Sequence, residues 1–495
     1  MEALAFACMP RVVIGSEHSC ALLADGAVKC WGLGEFGQLG QASQQNVGDG
    51  ANEMGSDLVA VDLGSSGTAI SIAAGCHHTC AILQDHSVKC WGRATSGRLG
   101  SGTGGADDNV GDGPNEMGDN LAAVPLGTGK SAIALAAGCA LTCAILNDHT
   151  LKCWGGGSFG KTGQGNTENL GNGPNELGDN LEAVQLGTGK TALAVTAGGH
   201  FTCVLLNDGS VKCFGRNHNG QLGIGHQNDI GDSSGEMGDS LVSVNLGTGK
   251  TALSIAAGTA HVCAVLNDGS AKCWGQGTHG RLGLGSSSFY GRSVSDMGDN
   301  LPTISLGTSK RALSMSAGRY HTCAVLSDHS LKCWGRSNVG QIGQGNTLDV
   351  GDSSGEMGEA LPIVNLGSSK TALFSFAGGV DAQHSCALLN DGTVKCWGSG
   401  DNGMLGQGGT DNVGDAANQM GDSLSAISLD ASTRAVQIAA GAEHSTLLAP
   451  ASLRRVASMI MAAAHVGRLT IACRTCFCAP VIAHATALSA HRVKV

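Results

Sequence analysis

The sequence predicts an all-β protein: a seven-bladed β-propeller of four-stranded antiparallel blades, its ring closed by the N- and C-terminal strands. Three observations carry that reading. First, a Lys-Cys-Trp-Gly-like element returns at Trp31, Trp91, Trp154, Trp274, Trp334 and Trp397, with Phe214 in the one vacant slot, so the copies are spaced by 60, 63, 60, 60, 60 and 63 residues. Such regular spacing belongs to repeat architectures. Second, aromatic residues are only 3% of the chain while glycine reaches 79 of 495, so the core has to be built from Ala, Val, Ile, Leu and Cys between thin, turn-rich elements. Third, each copy holds about four short strand signals, and four-stranded sheets repeated radially are propeller blades.

The first copy shows the grammar. Arg11 to Gly15 (RVVIG) is an apolar strand that corresponds to the later AISIAAG from Ala69 to Gly75. Cys20 to Leu23 and Ala27 to Trp31 then form a hairpin around Ala24-Asp25-Gly26, a three-residue turn that sets Leu23 opposite Ala27 and Cys20 opposite Cys30. Asp-Gly returns at Asp208-Gly209, Asp268-Gly269 and Asp391-Gly392, whereas Asp85-His86, Asp148-His149 and Asp328-His329 put a less suitable residue at the left-handed position. Glycine-marked turns follow, such as Gly34 to Gly40, and then an acidic loop such as Asn109 to Leu121, a fourth strand such as Ala123 to Leu126, and a GTGK turn. After the seventh copy, Ala435 to Leu448 repeats the first two strands and stops, as a ring needs when both termini complete one blade. Residues 1–450 therefore read as one propeller and 451–495 as a separate basic tail. In that tail Leu453, Val456, Ala457, Ile460 and Ala464 keep the spacing of a short amphipathic helix.

Seven cysteine pairs share a ten-residue separation: Cys20 with Cys30, Cys80 with Cys90, Cys143 with Cys153, Cys203 with Cys213, Cys263 with Cys273, Cys323 with Cys333 and Cys386 with Cys396. The hairpin register faces the partners at a non-hydrogen-bonded position, within disulfide reach, so one cross-strand disulfide per blade is expected. The competing state is a reduced pair packed as small hydrophobes. Zinc fits less well, because each pair supplies two of four ligands. Disulfides imply an oxidising compartment, yet the opening MEALAFACMPR has neither the basic start nor the apolar stretch of a signal peptide. Localisation stays open between an oxidising compartment and, for reduced cysteines, the cytoplasm.

The net charge of −11 is unevenly shared: six basic residues and no acid follow Ala451, leaving about −17 on residues 1–450. So acidic a body argues against a direct nucleic-acid surface. No apolar run is long enough to span a membrane.

The acidic loops, for example Asp112, Glu116 and Asp119, place oxygens close together as a calcium site would, but Asn172, Arg292, Gln419 and Ser56 break the set in other copies. They read as solvated turns whose Asp and Asn cap local backbone. Met54, Met117, Met237, Met297, Met357 and Met420 read as pins holding each loop to its blade. His18, His78, His261, His321, His384 and His444 occupy one repeat position, spread round the ring, so they form no catalytic or metal cluster. No catalytic residue, cofactor or metal is expected.

The pattern AG..HTCA.L.DG.VKCWG....GQLG, over roughly residues 11–450, resembles the repeat of the regulator of chromosome condensation family. The resemblance implies a seven-bladed propeller. Members do unrelated things: nucleotide exchange on a small GTPase, docking in ubiquitin ligases, ultraviolet sensing, bacterial enzyme inhibition. Fold alone does not choose between them. The wedge of the exchange factor has no counterpart, since the 63-residue spacings come from small additions near Gly104 to Ala106 and Val380 to Gln383. The expected function is a non-enzymatic interaction scaffold, a monomer with a protein partner. A guanine nucleotide exchange factor for a small GTPase and an extracellular inhibitor or ligand-binding propeller are the alternatives.

Overall fold

Both sides of the inner strands are apolar, and the structure shows why. The computed structural model describes residues 11–65, 67–102, 108–377 and 380–429. Strand β1 (Arg11–Ile14) pairs antiparallel with β2 (His18–Leu22), and β2 with β3 (Val28–Gly32). Val12, Val13 and Ile14 are all fully buried, so neither face meets water and the sequence runs apolar instead of alternating. The same triplet recurs through Ala69–Ala74, His78–Leu83 and Val88–Gly92 to the last, Ala372–Phe376, His384–Leu389 and Val394–Gly398. Among the described residues there are seven such sheets and no α-helix.

The hairpin turn is the expected one. The Leu23 amide donates to the Ala27 carbonyl (2.8 Å), and Gly26 adopts φ +85°. Where histidine replaces that glycine, His86, His149 and His329 hold the same left-handed conformation at φ +63° to +64°.

The expected fourth strand is reduced. Each blade carries, beyond its third strand, an extended segment that touches the sheet through a single backbone hydrogen bond, such as Val61 N–H to the Val28 carbonyl (2.7 Å) and Ile427 N–H to Val394 (2.8 Å). A lysine ties each such segment to the next blade. Lys89 Nζ donates to the Leu63 carbonyl of the preceding blade's outer segment (2.8 Å) and to Gly118 of its own loop (2.9 Å), so a side chain bridges the two blades. Lys29, Lys152, Lys212, Lys272, Lys332 and Lys395 each make the equivalent pair of bonds.

The apolar clusters lie between sheets. One joins Val12, Ile14 and Trp31 of the first sheet to Phe376, Leu388 and Val394 of the seventh, as other clusters join consecutive sheets. Each tryptophan is buried and gives its indole N–H to a carbonyl of the preceding blade: Trp91 to Gln38 (3.0 Å), Trp274 to Gln221 (3.1 Å), Trp31 to Met404 of the seventh (3.2 Å). The loop methionines join the same clusters, Met117 beside Trp91 and Met297 beside Trp274. The expected closing strands over Ala435 to Leu448, with His444, and the tail from Ala451 lie outside the described residues.

Candidate functional site

The repeat residues singled out from sequence are occupied structurally. In every blade the paired cysteines face one another across the hairpin: Cys20 and Cys30, Cys80 and Cys90, Cys143 and Cys153, Cys203 and Cys213, Cys263 and Cys273, Cys323 and Cys333, Cys386 and Cys396. Their Cα atoms are 4.0–4.1 Å apart and their sulfurs at disulfide distance. Cys153, Cys213, Cys333 and Cys396 are fully buried and sit in the apolar clusters between sheets, so these pairs belong to the core and face no ligand site.

The ring-position histidines link consecutive blades. His18 Nε2 lies 2.9 Å from Thr79 Oγ1, His261 the same distance from Thr322, and His321 2.8 Å from Ser385. Burial depresses these imidazoles, His18 and His321 to about 3 and His384 to about 4. Neutral and hydrogen-bonded, they are poor proton donors for chemistry.

The acidic loops are spent in the same way. Glu116 accepts the amides of Gly111 and Gly113 (both 2.8 Å), closing its own loop. Asp179 accepts the hydroxyl and amide of Thr128 on the preceding blade's GTGK turn, which hold its carboxyl below the usual range. These carboxylates serve as turn caps across the blade boundary.

Several departures from the repeat gather on one face. In antiparallel triplets the turn between the first two strands and the loop after the third share an end. At that end the first turns place Ser16, Cys76, Cys139, Thr259 and Arg319 side by side, tied by bonds such as Ser16 N–H to the Cys76 carbonyl (3.3 Å) and Thr259 N–H to Gly318 (3.4 Å). The seventh turn is longer, and its extra residues lie over the others. Ser16 Oγ donates to the Val380 carbonyl (2.7 Å), the Asp381 amide donates to Thr259 Oγ1 (3.1 Å), and Arg319 N–H donates to the Ala382 carbonyl (3.3 Å). The added residues that lengthen the last repeat thus form a plug at the centre of the face. Asp381 itself sits at φ +70°, a conformation held by these partners.

Around the plug runs a belt of arginines on aromatic rings, the first two of the following stacks bridging consecutive blades and the third lying within the sixth. Arg93 lies over Phe36 (4.9 Å), Arg216 over Phe159 (5.1 Å) and Arg336 over Tyr320 (5.2 Å). His77 and His200 meet Phe36 and Phe159 edge-on. At the seam of the first and seventh blades the sign reverses. Burial raises the Glu17 carboxyl above its ordinary value, and Asp401 and Glu35 nearby add to the effect. A cavity of about 220 Å³ opens there between Glu17, His77, Asp401, Arg319 and Asp381.

Sequence profiles described as the regulator of chromosome condensation (RCC1) repeat match residues 11–38, 69–98, 193–221, 253–281, 313–341 and 382–403, with a second such profile over 268–325. The chain belongs to the RCC1 repeat family. Among RCC1-repeat proteins it is 30% identical to the ultraviolet-B receptor UVR8 of Arabidopsis thaliana, over 68% of this chain and 66% of the receptor. It is 26% identical to human E3 ubiquitin-protein ligase HERC2, over 55% of this chain and 5% of that protein. The chain thus spans just under two thirds of the first and a small part of the second. Solved RCC1-type structures share the propeller fold: human WBSCR16 (TM-score 0.58, 18% identity, 77% of this chain and 90% of that one) and Prp20p from Saccharomyces cerevisiae (0.56, 18%, 76% and 80%).

Sequence reasoning did not find the plug, the belt or the lysine bridges. Cys76 and Cys139 were visible as the residues following the Ala-Gly of consecutive repeats, where other copies have Ser, Gly, Thr or Arg. In the structure their sulfurs are at disulfide distance across two blades, with Cα atoms 4.4 Å apart.

Proposed function

We propose that this RCC1-repeat protein is a regulatory, non-catalytic scaffold that docks a protein partner on the face carrying the plug and the arginine belt. One observation carries the reading: the regular interior is shared by all blades, while the half-buried Arg–aromatic stacks and the added turn are confined to this end. Arginine and aromatic side chains are enriched at protein interfaces, and an acidic seam beside a basic belt orients a partner. Closure of the ring by Ala435 to Leu448, a domain boundary near residue 450 and oxidation of all seven blade cysteine pairs belong to the same proposal. The last would place folding in an oxidising compartment, the setting of the extracellular inhibitor alternative.

The test is affinity capture from an extract of the source cell, comparing the wild-type chain with a triple variant, Arg93→Ala, Arg216→Ala and Arg336→Ala. A control, Lys130→Ala, Lys190→Ala and Lys250→Ala, alters the exposed Lys–Asp pairs of the GTGK turns instead. A partner lost by the first variant and kept by the second supports the face; the reverse pattern overturns it. The second reading is guanine nucleotide exchange. The Prp20p structure is described with binding to Gsp1p and histones, and nucleotide release from a panel of small GTPases tests whether that capacity extends to this chain.

A further inference from the structure

The plug brings together three groups that the interaction reading does not use. Cys76, on the second blade, Cys139, on the third, and Asp381, in the plug, direct two sulfurs and a carboxylate oxygen to one point, all within 4.8 Å of one another. Cys139 Sγ lies 3.4 Å from Asp381 Oδ2, and Cys76 Sγ lies 3.4 Å from the Val380 carbonyl. We propose that, in their dithiol form, Cys76 and Cys139 bind a thiophilic divalent cation such as zinc together with Asp381.

Two of the ligands are held from behind by side chains of other blades. An Arg98 guanidinium N–H donates to the Cys139 carbonyl and fixes that turn. Thr259 Oγ1 stands 3.4 Å from the other carboxylate oxygen of Asp381, and Arg319 Nε lies 3.6 Å from that same oxygen. Anchoring one oxygen leaves Oδ2 free to face the sulfurs, the orientation that outer partners impose on a metal-binding carboxylate. Two sulfurs and one oxygen supply three of the four positions zinc prefers, leaving one for water.

Charge separates two states of the site. With the sulfurs joined as a disulfide, Asp381 and Arg319 balance and no cation is called for. With the disulfide reduced by a dithiol, which gives two electrons and two protons and leaves as its own disulfide, the site holds two thiols. Binding of the cation releases those two protons. The two thiolates and Asp381 then carry three negative charges against the positive charges of Arg319 beside the carboxylate and Arg98 behind the Cys139 turn, so the reduced site is net negative and attracts a cation. The blade pairs do not share this chemistry: their sulfurs are buried between sheets, and among the described residues no carboxylate converges on them, whereas Cys139 is partly exposed.

The experiment uses the full chain after limited dithiol reduction and removal of the reductant. It is titrated with cobalt(II), whose absorption reports thiolate ligation, and then with zinc in competition. The reduced protein is expected to bind one cobalt ion per chain with a sulfur-to-metal band that zinc abolishes, and the oxidised protein none. Cys139→Ser should remove the band, and Asp381→Asn should weaken binding by about tenfold or more while leaving the near-ultraviolet circular dichroism of the fold unchanged. A reduced protein that binds no cobalt overturns the proposal. So do a band that survives in Cys139→Ser and a Cys76–Cys139 pair that no dithiol opens in the folded chain. Partner capture is scored separately, so loss of metal binding leaves the docking reading intact.

Discussion

Lys29 Nζ donates to the carbonyl of Leu429, 3.1 Å away and 400 residues later in the chain. Its other bond, to Gly55 (3.0 Å), ties the same ammonium to its own blade, so one side chain fastens the first blade to the seventh. Burial lowers the equivalent Lys272 ammonium's pKa, and the neighbouring Asp299 works against that fall.

Replacing such a lysine removes two charge-assisted bonds and strands two carbonyls. Lys272→Met, which keeps the apolar stem, is expected to destabilise the fold by about 2–4 kcal/mol because Leu246 and Gly298 lose their donor. Urea unfolding measures this as a lower midpoint at unchanged slope. An unchanged midpoint would show that water replaces the ammonium at no cost.

Acid should loosen the blade boundaries. The ring histidines are held neutral by burial, with His18 at about 3 against an ordinary 6.5. Between those values the unfolded chain takes up protons that the native chain refuses, so this contribution to stability is intact above about pH 6.5 and is lost as the pH falls. Each such histidine costs up to about 2 kcal/mol by pH 5. The chain supplies its own control. Where Phe201 replaces the histidine, Val262 replaces the threonine of the next blade, and both are fully buried. His261→Phe with Thr322→Val is therefore expected to fold and to move the midpoint of acid unfolding lower by a few tenths of a pH unit. A midpoint that does not move would assign the acid limit to carboxylates instead.

The period of the sequence was enough for the blade number and the hairpins, because both are local: Asp25-Gly26 sets the register that brings Cys20 to Cys30. What sequence could not supply depends on neighbours. Lys29 sits in a strand that alternates through Val28 and Cys30, so it reads as solvent-facing until the seventh blade's outer segment covers it. The fourth strand looked regular because Leu58, Val61 and Leu63 are apolar; in space they grip the core at uneven intervals while Val59 stays 63% exposed. The added Val380 to Gln383 was legible as extra length, but its partners Ser16 and Thr259 lie 364 and 122 residues away.

Phe214 leaves a bond unmade. In five of the other six blades a single carbonyl accepts both an indole N–H and a hydroxyl, as Arg281 does from Trp334 (3.1 Å) and Thr322 (2.8 Å), and in the fifth blade, where Val262 has no hydroxyl, Gln221 accepts the Trp274 indole. Lys161, its counterpart before Phe214, accepts the hydroxyl of Thr202 alone among the described residues (2.9 Å). Both ring types lean on the same glycine, Gly163 for Phe214 and Gly223 for Trp274. Phe214→Trp is expected to restore the bond and stabilise the chain by about 1 kcal/mol, read as a higher unfolding midpoint. Destabilisation would mean that the fourth blade has closed around the smaller ring.

The blade cysteines carry the last prediction. If each facing pair is oxidised, alkylation of the denatured but unreduced chain labels none of the fourteen, and labels all of them only after reduction. Cys263→Ala with Cys273→Ala should then lower stability by about 3 kcal/mol, since the bridge closes a loop over a separation of 10 residues. The unbridged chain gains freedom chiefly in its unfolded state, so native contacts, including the Trp274 bond to Gln221, stay in place and the urea slope rises as the unfolded hairpin expands. Complete labelling without reductant would instead identify the pairs as small buried hydrophobes, and the same double substitution would then cost only the lost packing of two sulfurs.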